Sequence, residues 1–431
     1  MCLIYLTYDK STAIVDNFPI QNSIKAKFIY SRFNMEKNHS AWFVFTLGML
    51  CAFAPMCTDI YLPALPMVME TFNTIPSLAQ SSLTATFLGL SIGQLIIGPL
   101  SDAYGRLKPL YISLVLFAIS SYICSICPTI SVFIAFRIIQ GMCASGGIVL
   151  TRSIACDLYK GHELTSFMSF LMSINSIAPV LAPILGSVIL NFCSWEVIFV
   201  ILCIWGVLMF ILAKLFVKES LPKEKRQASA LSSLILLKTD FLNLKFMLMS
   251  LSLSFIMAGF FSYLAASPFV FQKIYNFTPF EFSITFAFVS VCITIVAAFS
   301  GRFSKIFTEI KVVKFAFYIL ILSGFCVIVE SILKPQSFVF ILASLSVYCA
   351  MMGLSQSAGF GVVMSFKQGG AGSASGLFGV LYFALGSLIS PLVGVMGEKS
   401  SLPLGLNLFF CAIIALVLLN LALRIKHKEE A

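Results

Sequence analysis

Two ionisable residues, Asp59 and Arg137, lie in apolar stretches long enough to cross a bilayer, and neither has a sequence neighbour to neutralise it. Asp59 closes the apolar run 41–58, and Arg137 interrupts the run 130–150. An ionisable group at membrane depth is costly unless it faces a partner or a water-filled path, so by default it marks a route for ions or solutes. A carboxyl that alternates between dry and wet surroundings changes its protonation state with them. Moving one charge through 100 mV is worth about 2.3 kcal/mol, enough to couple a proton to uphill movement of a solute. The plain structural alternative is that Arg137 snorkels or pairs with a backbone carbonyl and Asp59 caps the outer end of its helix region.

Such residues need helices to hold them, and the composition provides these. Of 431 residues, 59% are hydrophobic and 11% charged, against about half and about a quarter in soluble domains. Apolar segments of about 20 residues, the length that spans a bilayer core, recur twelve times. The expectation is an all-α, multi-span membrane protein. A polar stretch at 218–245 divides the segments six and six, which predicts two parallel six-helix bundles at 41–217 and 246–423, joined by that linker. Residues 1–40 read as a disordered extension without the apolar core of a signal peptide, with Met35 resembling a natural start, and 424–431 as a short tail.

The formal charge of +10 does not indicate a nucleic-acid partner. Lys and Arg crowd the loops on one side, whereas the opposite loops carry only Lys273, Lys334 and Lys399. That bias places both termini in the cytoplasm. The 13 cysteines fall almost entirely in or beside the apolar segments, where Cys acts as a small hydrophobe. Cys124-x2-Cys127 lacks the second pair of a zinc site, so no metal is expected. No His lies within a span, no cluster of His, Cys and carboxylates suggests an enzyme, and no phosphate-binding G-x-x-x-x-G-K-[ST] loop is present to drive a pump.

Gly and Pro mark deformable helices. Pro179, Pro183 and Gly186 fall in one segment, and Gly372 and Gly376 in another, where lost donors and small side chains permit bending and close approach. Tyr61, Gln94, Gln140, Asn175 and Tyr263 are polar or amphipathic groups at positions suited to a substrate cleft, although polar groups within spans also serve as interhelical hydrogen bonds. A greasy cleft with few polar anchors would select small amphipathic compounds loosely.

The loop 98–109, GPLSDAYGRLKP, contains Gly98, Asp102, Gly105 and Arg106. It resembles the signature between spans two and three of the major facilitator superfamily, in which Asp and Arg latch helices at the inner face. Narrower likenesses follow. Residues 59–66 (DIYLPALP), 137–142 (RIIQGM), 152–159, Ser194-Trp195 and 219–222 (ESLP) resemble the bicyclomycin-resistance (Bcr/CflA) drug-efflux branch, as do 258–264 and 268–270 in the second half. The resemblance implies a monomeric, proton-coupled efflux transporter of a bacterial inner membrane, powered by the proton gradient without a cofactor, with Arg137 near the proton path and near Asp59. It leaves a proton-coupled importer of a metabolite or osmolyte as the second reading. One departure stands out: the superfamily's antiporter signature continues with Gly-Gly, where this chain has Gly186-Ser187.

Overall fold

The computed structural model describes residues 41–159, 161–227, 240–333, 337–367, 371–395 and 400–425, and among these it contains helices and turns without a strand. The expected extension 1–40 and all but the first residues of the tail lie outside them. The first span is a bent run: α1 (Ala41–Cys51), α2 (Phe53–Asp59), a 3-10 turn Leu62–Ala64, and α3 (Leu65–Thr71). Its two parts meet at 43°. Pro63 and Pro66 enter at the first positions of the 3-10 turn and of α3, where a missing N–H costs nothing. The chain therefore stays helical past the apolar run 41–58, and Asp59 lies within the crossing rather than closing it.

Long helices follow: α4 (Pro76–Tyr104), α5 (Leu107–Ile126), α6 (Ile130–Leu158), α7 (Gly161–Leu190) and α8 (Glu196–Phe216). The second half has α9 (Leu244–Phe269), ending in a π-turn Val270–Ile274, then α10 (Pro279–Ala298), α11 (Ser300–Phe307) and α12 (Glu309–Ile332). It closes with α13 (Phe338–Ser365), α14 (Ala371–Ile389), α15 (Pro391–Val395) and α16 (Leu402–Arg424). Ten helices among the described residues are long and apolar enough to cross a membrane, and the bent run makes eleven. Among the described residues of α7, Ile177–Leu190 is a shorter apolar stretch.

Helices 4, 5, 6 and 8 pack among themselves, as do helices 9, 10, 12, 13, 14 and 16, and the two groups meet mainly where α4 lies along α14 and α7 along α10. Small residues set the first group's spacing. A Cβ at Gly89 would strike the Ile138 carbonyl, and one at Gly141 would strike the Thr86 carbonyl, so α4 and α6 approach at backbone distance, as apolar helices in lipid require when packing alone holds them. Between the groups, Ser91 Oγ donates to the Val380 carbonyl at 3.0 Å. Phe87 stacks on Phe261 with ring centres 4.1 Å apart, and Phe261 stacks in turn on Phe383 at 5.5 Å.

Candidate functional site

Arg137 is fully buried in the first half. Its Nη1 donates to Gln140 Oε1 and, at 3.3 Å, to the Cys57 carbonyl, and its Nε donates at 3.3 Å to the Ser82 carbonyl. Gln140 is held by its own donation to Ser121 Oγ at 2.7 Å. Tyr61 and Phe199 present ring faces 5.0 and 5.3 Å from the guanidinium carbon, and the Tyr61 hydroxyl shares a hydrogen bond with Ser82 Oγ at 2.9 Å. The charge is thus spread over carbonyl dipoles and aromatic faces contributed by four helices, α2, α4, α6 and α8, and by the turn at Tyr61. Its Nη2 has no partner among the described residues.

Asp59 is also buried, 4% exposed, and its Oδ1 accepts from Thr58 Oγ1 at 2.8 Å. The ion pairs among the described residues do not join it to Arg137. The helical period explains this. Cys57 and Tyr61, four apart, face Arg137, and Asp59 lies about 200° around the axis from Cys57. Pro63, four beyond Asp59, presents its carbonyl to Gln272 of the second half at 3.1 Å. The two charges therefore sit on opposite sides of one helix, with the carbonyl bonding of Arg137 that the structural alternative foresaw.

Gly105 ends α4 with φ +90°, a conformation suited to glycine, and swings the chain so that Arg106 points back into the bundle. Arg106 Nη1 donates to Asp102 Oδ1 at 2.6 Å and to Ser101 Oγ at 2.8 Å. Its Nε and Nη2 grip both oxygens of Asp157, at the end of α6, at 2.9 and 3.2 Å. Burial works against the Arg106 charge, but hydrogen bonds to Asp157 and Asp102 outweigh it and hold the guanidinium above its ordinary pKa. Glu219 caps the start of α5, accepting from the backbone N–H groups of Arg106 at 2.9 Å and Leu107 at 3.2 Å. Ser220 Oγ adds a bond to Asp157 at 2.7 Å. The loop is thereby fastened to α6 and to the segment after α8. Asp157 was missed by the sequence reading as Arg106's main partner, since 51 residues separate them.

Of the expected cleft residues, Tyr61 and Gln140 are brought together around Arg137. Gln94 sits where α4 meets α14, beside Gly379. Asn175 is half-buried on α7. Tyr263 is buried in the second half, its ring stacked at 5.9 Å on Phe286 and its hydroxyl without a partner. Gly186 packs against the Ile60 carbonyl, beside Asp59, and Gly376 faces open space. Pro179 and Pro183 lie inside α7. Gly372 lies in α14, but its surroundings fall outside the described ones. No group of three or more His, Cys, Asp or Glu among the described residues could hold a metal.

At the end of the bundle away from Arg106, the halves are joined again. Lys273 forms an ion pair with Glu70, and Ser283 Oγ donates to the Pro183 carbonyl at 2.8 Å. These contacts, like Gln272 on Pro63, were not foreseen, although Lys273 was visible as one of few cations in its set of loops.

Residues 47–391 match the family model described as Major Facilitator Superfamily. The chain belongs to this superfamily. It is therefore a membrane transporter and not an enzyme, working by alternating access between two helix bundles. An uncharacterized MFS-type transporter of Bacillus subtilis, YdgK, is 39% identical over 86% of this chain and 92% of its own length. The Bicyclomycin resistance protein homolog of Haemophilus influenzae is 25% identical over 87% and 94%, and the Multidrug resistance protein MdtL of Salmonella paratyphi C is 26% identical over 86% and 94%. Among solved structures, a bacterial homolog of the human lysosomal transporter Spinster superposes with a TM-score of 0.70 at 13% identity, covering 90% of this chain and 98% of that one. A D-xylose-proton symporter gives 0.66 at 17% identity, covering 87% and 97%. At such identities the superpositions speak to fold alone.

Proposed function

We propose that this protein is a proton-coupled exporter of small amphipathic compounds, of the Bcr/CflA drug-efflux branch. In this reading it crosses a bacterial inner membrane twelve times as a monomer, with both termini and the Arg106 loop in the cytoplasm and the proton gradient as its only energy source. The observation that carries the reading is the isolated carboxyl of Asp59. It is buried at membrane depth on the side of α2 that turns away from Arg137, and the ion pairs among the described residues do not include it. A proton on Asp59 makes it neutral while the bundles are closed around it. Opening toward either side wets the carboxyl, so proton binding and release follow the conformational cycle. Arg137 supports α2 from behind through the Cys57 carbonyl.

Resemblance to relatives named for bicyclomycin and multidrug resistance supports a drug-like cargo, as do the aromatic faces where α4, α9 and α14 meet. Tyr61, Gln94, Gln140, Asn175 and Tyr263 are the candidate cargo contacts, and Pro179, Pro183, Gly186, Gly372 and Gly376 the candidate points of bending.

The test is transport by purified protein in liposomes under an imposed pH gradient, with lipophilic amines, neutral chloramphenicol-type compounds and amino acids as cargo. Native protein concentrates an amphipathic compound against its gradient when protons flow the opposite way. Asp59→Asn stays folded and only equilibrates the same compound. Uphill transport by Asp59→Asn at the native rate sinks the coupling role, and cargo moving in the direction of the protons makes the protein an importer.

A further inference from the structure

Glu330 is a buried carboxyl that the proposed transport chemistry does not use. It is 3% exposed, near the end of α12, and the ion pairs among the described residues do not include it. Such a group is tolerated only when its oxygens are hydrogen-bonded. Its Oε1 accepts from the Tyr275 hydroxyl at 2.6 Å, and its Oε2 from Ser401 Oγ at 3.3 Å. Ser401 is the residue that starts α16. Tyr275 terminates the π-turn Val270–Ile274, its N–H bonded to the Val270 carbonyl at 3.2 Å.

That π-turn is the segment that reaches across to the first half. Gln272 donates to the Pro63 carbonyl and Lys273 pairs with Glu70, two residues side by side on one turn. Five-residue turns of this kind are uncommon and collect at functional positions. A turn attached only through α9 could bend away from its own half when the bundles rock apart, leaving Lys273 on Glu70. A turn pinned to α12 and α16 must move with them, so rocking breaks both contacts together. We propose that Glu330 is a positioning residue for this latch: through Tyr275 and Ser401 it fixes the π-turn to the second bundle, so that Lys273 and Gln272 resist opening at that end. The proposal needs only alternating access, and stands or falls independently of cargo, direction and proton coupling.

The experiment measures opening without transport. Nitroxides are attached to ketone-bearing residues introduced at Phe192, on the turn after α7, and at Val339, at the start of α13, both exposed. Trp195 bonding to Thr71, and Phe338 packing on Phe277, put these positions at the latch end of the two halves. Distance distributions for the full chain in nanodiscs give the ratio of open to closed molecules. Lys273→Met raises that ratio about 2- to 5-fold, the range of an exposed ion pair. Glu330→Ala and Tyr275→Phe raise it by a similar factor when Lys273 is present, and by less than about 1.5-fold in Lys273→Met protein, because the latch is already gone. Glu330→Gln keeps an acceptor for Tyr275 and remains within about 2-fold of native. Tyr275→Phe removes one hydroxyl, so it keeps the test decisive if Glu330→Ala fails to fold. Equal effects in the two backgrounds, or no effect of Tyr275→Phe with Lys273 intact, overturn the proposal and leave Glu330 as a staple of the second bundle alone.

Discussion

Replacing each acid around Arg106 in turn tests how the loop after α4 is held. The sequence motif points to Asp102, whereas the structure gives the larger share to Asp157. Asp102 makes one bond to Arg106 and its side chain is 37% exposed, while Asp157 takes two and is 16% exposed. Charge-assisted hydrogen bonds contribute about 1.5–3 kcal/mol each and a neutral one about 1 kcal/mol, so Asp157→Asn, which keeps a single neutral acceptor, costs about 2–5 kcal/mol. Asp102→Asn weakens a half-exposed pair and costs less than about 1 kcal/mol. The difference is at least about fivefold in the unfolding equilibrium, at 1.4 kcal/mol per decade. All three tryptophans, Trp42, Trp195 and Trp205, lie in the first half, so their fluorescence reports on the bundle that contains the loop. Titrating purified protein in maltoside micelles with dodecyl sulfate should move the Asp157→Asn midpoint well below native and leave Asp102→Asn close to it. An Asp102→Asn loss equal to or larger than that of Asp157→Asn would refute the assignment.

Other substitutions probe separate parts of the argument. Gly89→Ala drives a Cβ into the Ile138 carbonyl and should cost about 1–3 kcal/mol. Gly301→Ala, whose Cβ meets nothing within 4 Å, should be neutral or mildly stabilising, and size-exclusion yield after heating compares the two. Gln140→Leu leaves Arg137 Nη1 and Ser121 short of a partner and should destabilise the first half by about 1–3 kcal/mol, read by the same tryptophan titration. A native-like midpoint would mean that the carbonyls alone hold the guanidinium. Thr308 adopts φ 67°, ψ 146° without capping α12, a conformation that strains a β-branched residue. Thr308→Gly should therefore stabilise by about 0.5–1 kcal/mol, seen as a higher temperature of half-loss in size exclusion, and a lower one would show that the strain is absent.

Sequence by itself determined the class of this protein. Backbone groups in a bilayer must be bonded within their own segment, so every span had to be a long apolar helix that hydropathy could count. The Gly105-Arg106 turn was legible because it is written in consecutive residues. The length of the first crossing was not, since only the fold shows Pro63 and Pro66 at the starts of new turns. Nor were the partners of Arg137, which are carbonyls on α2 and α4 that carry no side-chain signature, or the orientation of Asp59, which depends on where the first helix bends. Asp157, Glu70 and Glu330 lie far in sequence from the groups they bind. Only tertiary packing decided what each would meet, because a charge in a low-dielectric bundle takes its role from the groups that folding brings within a few ångströms, and those come from helices far apart in the chain.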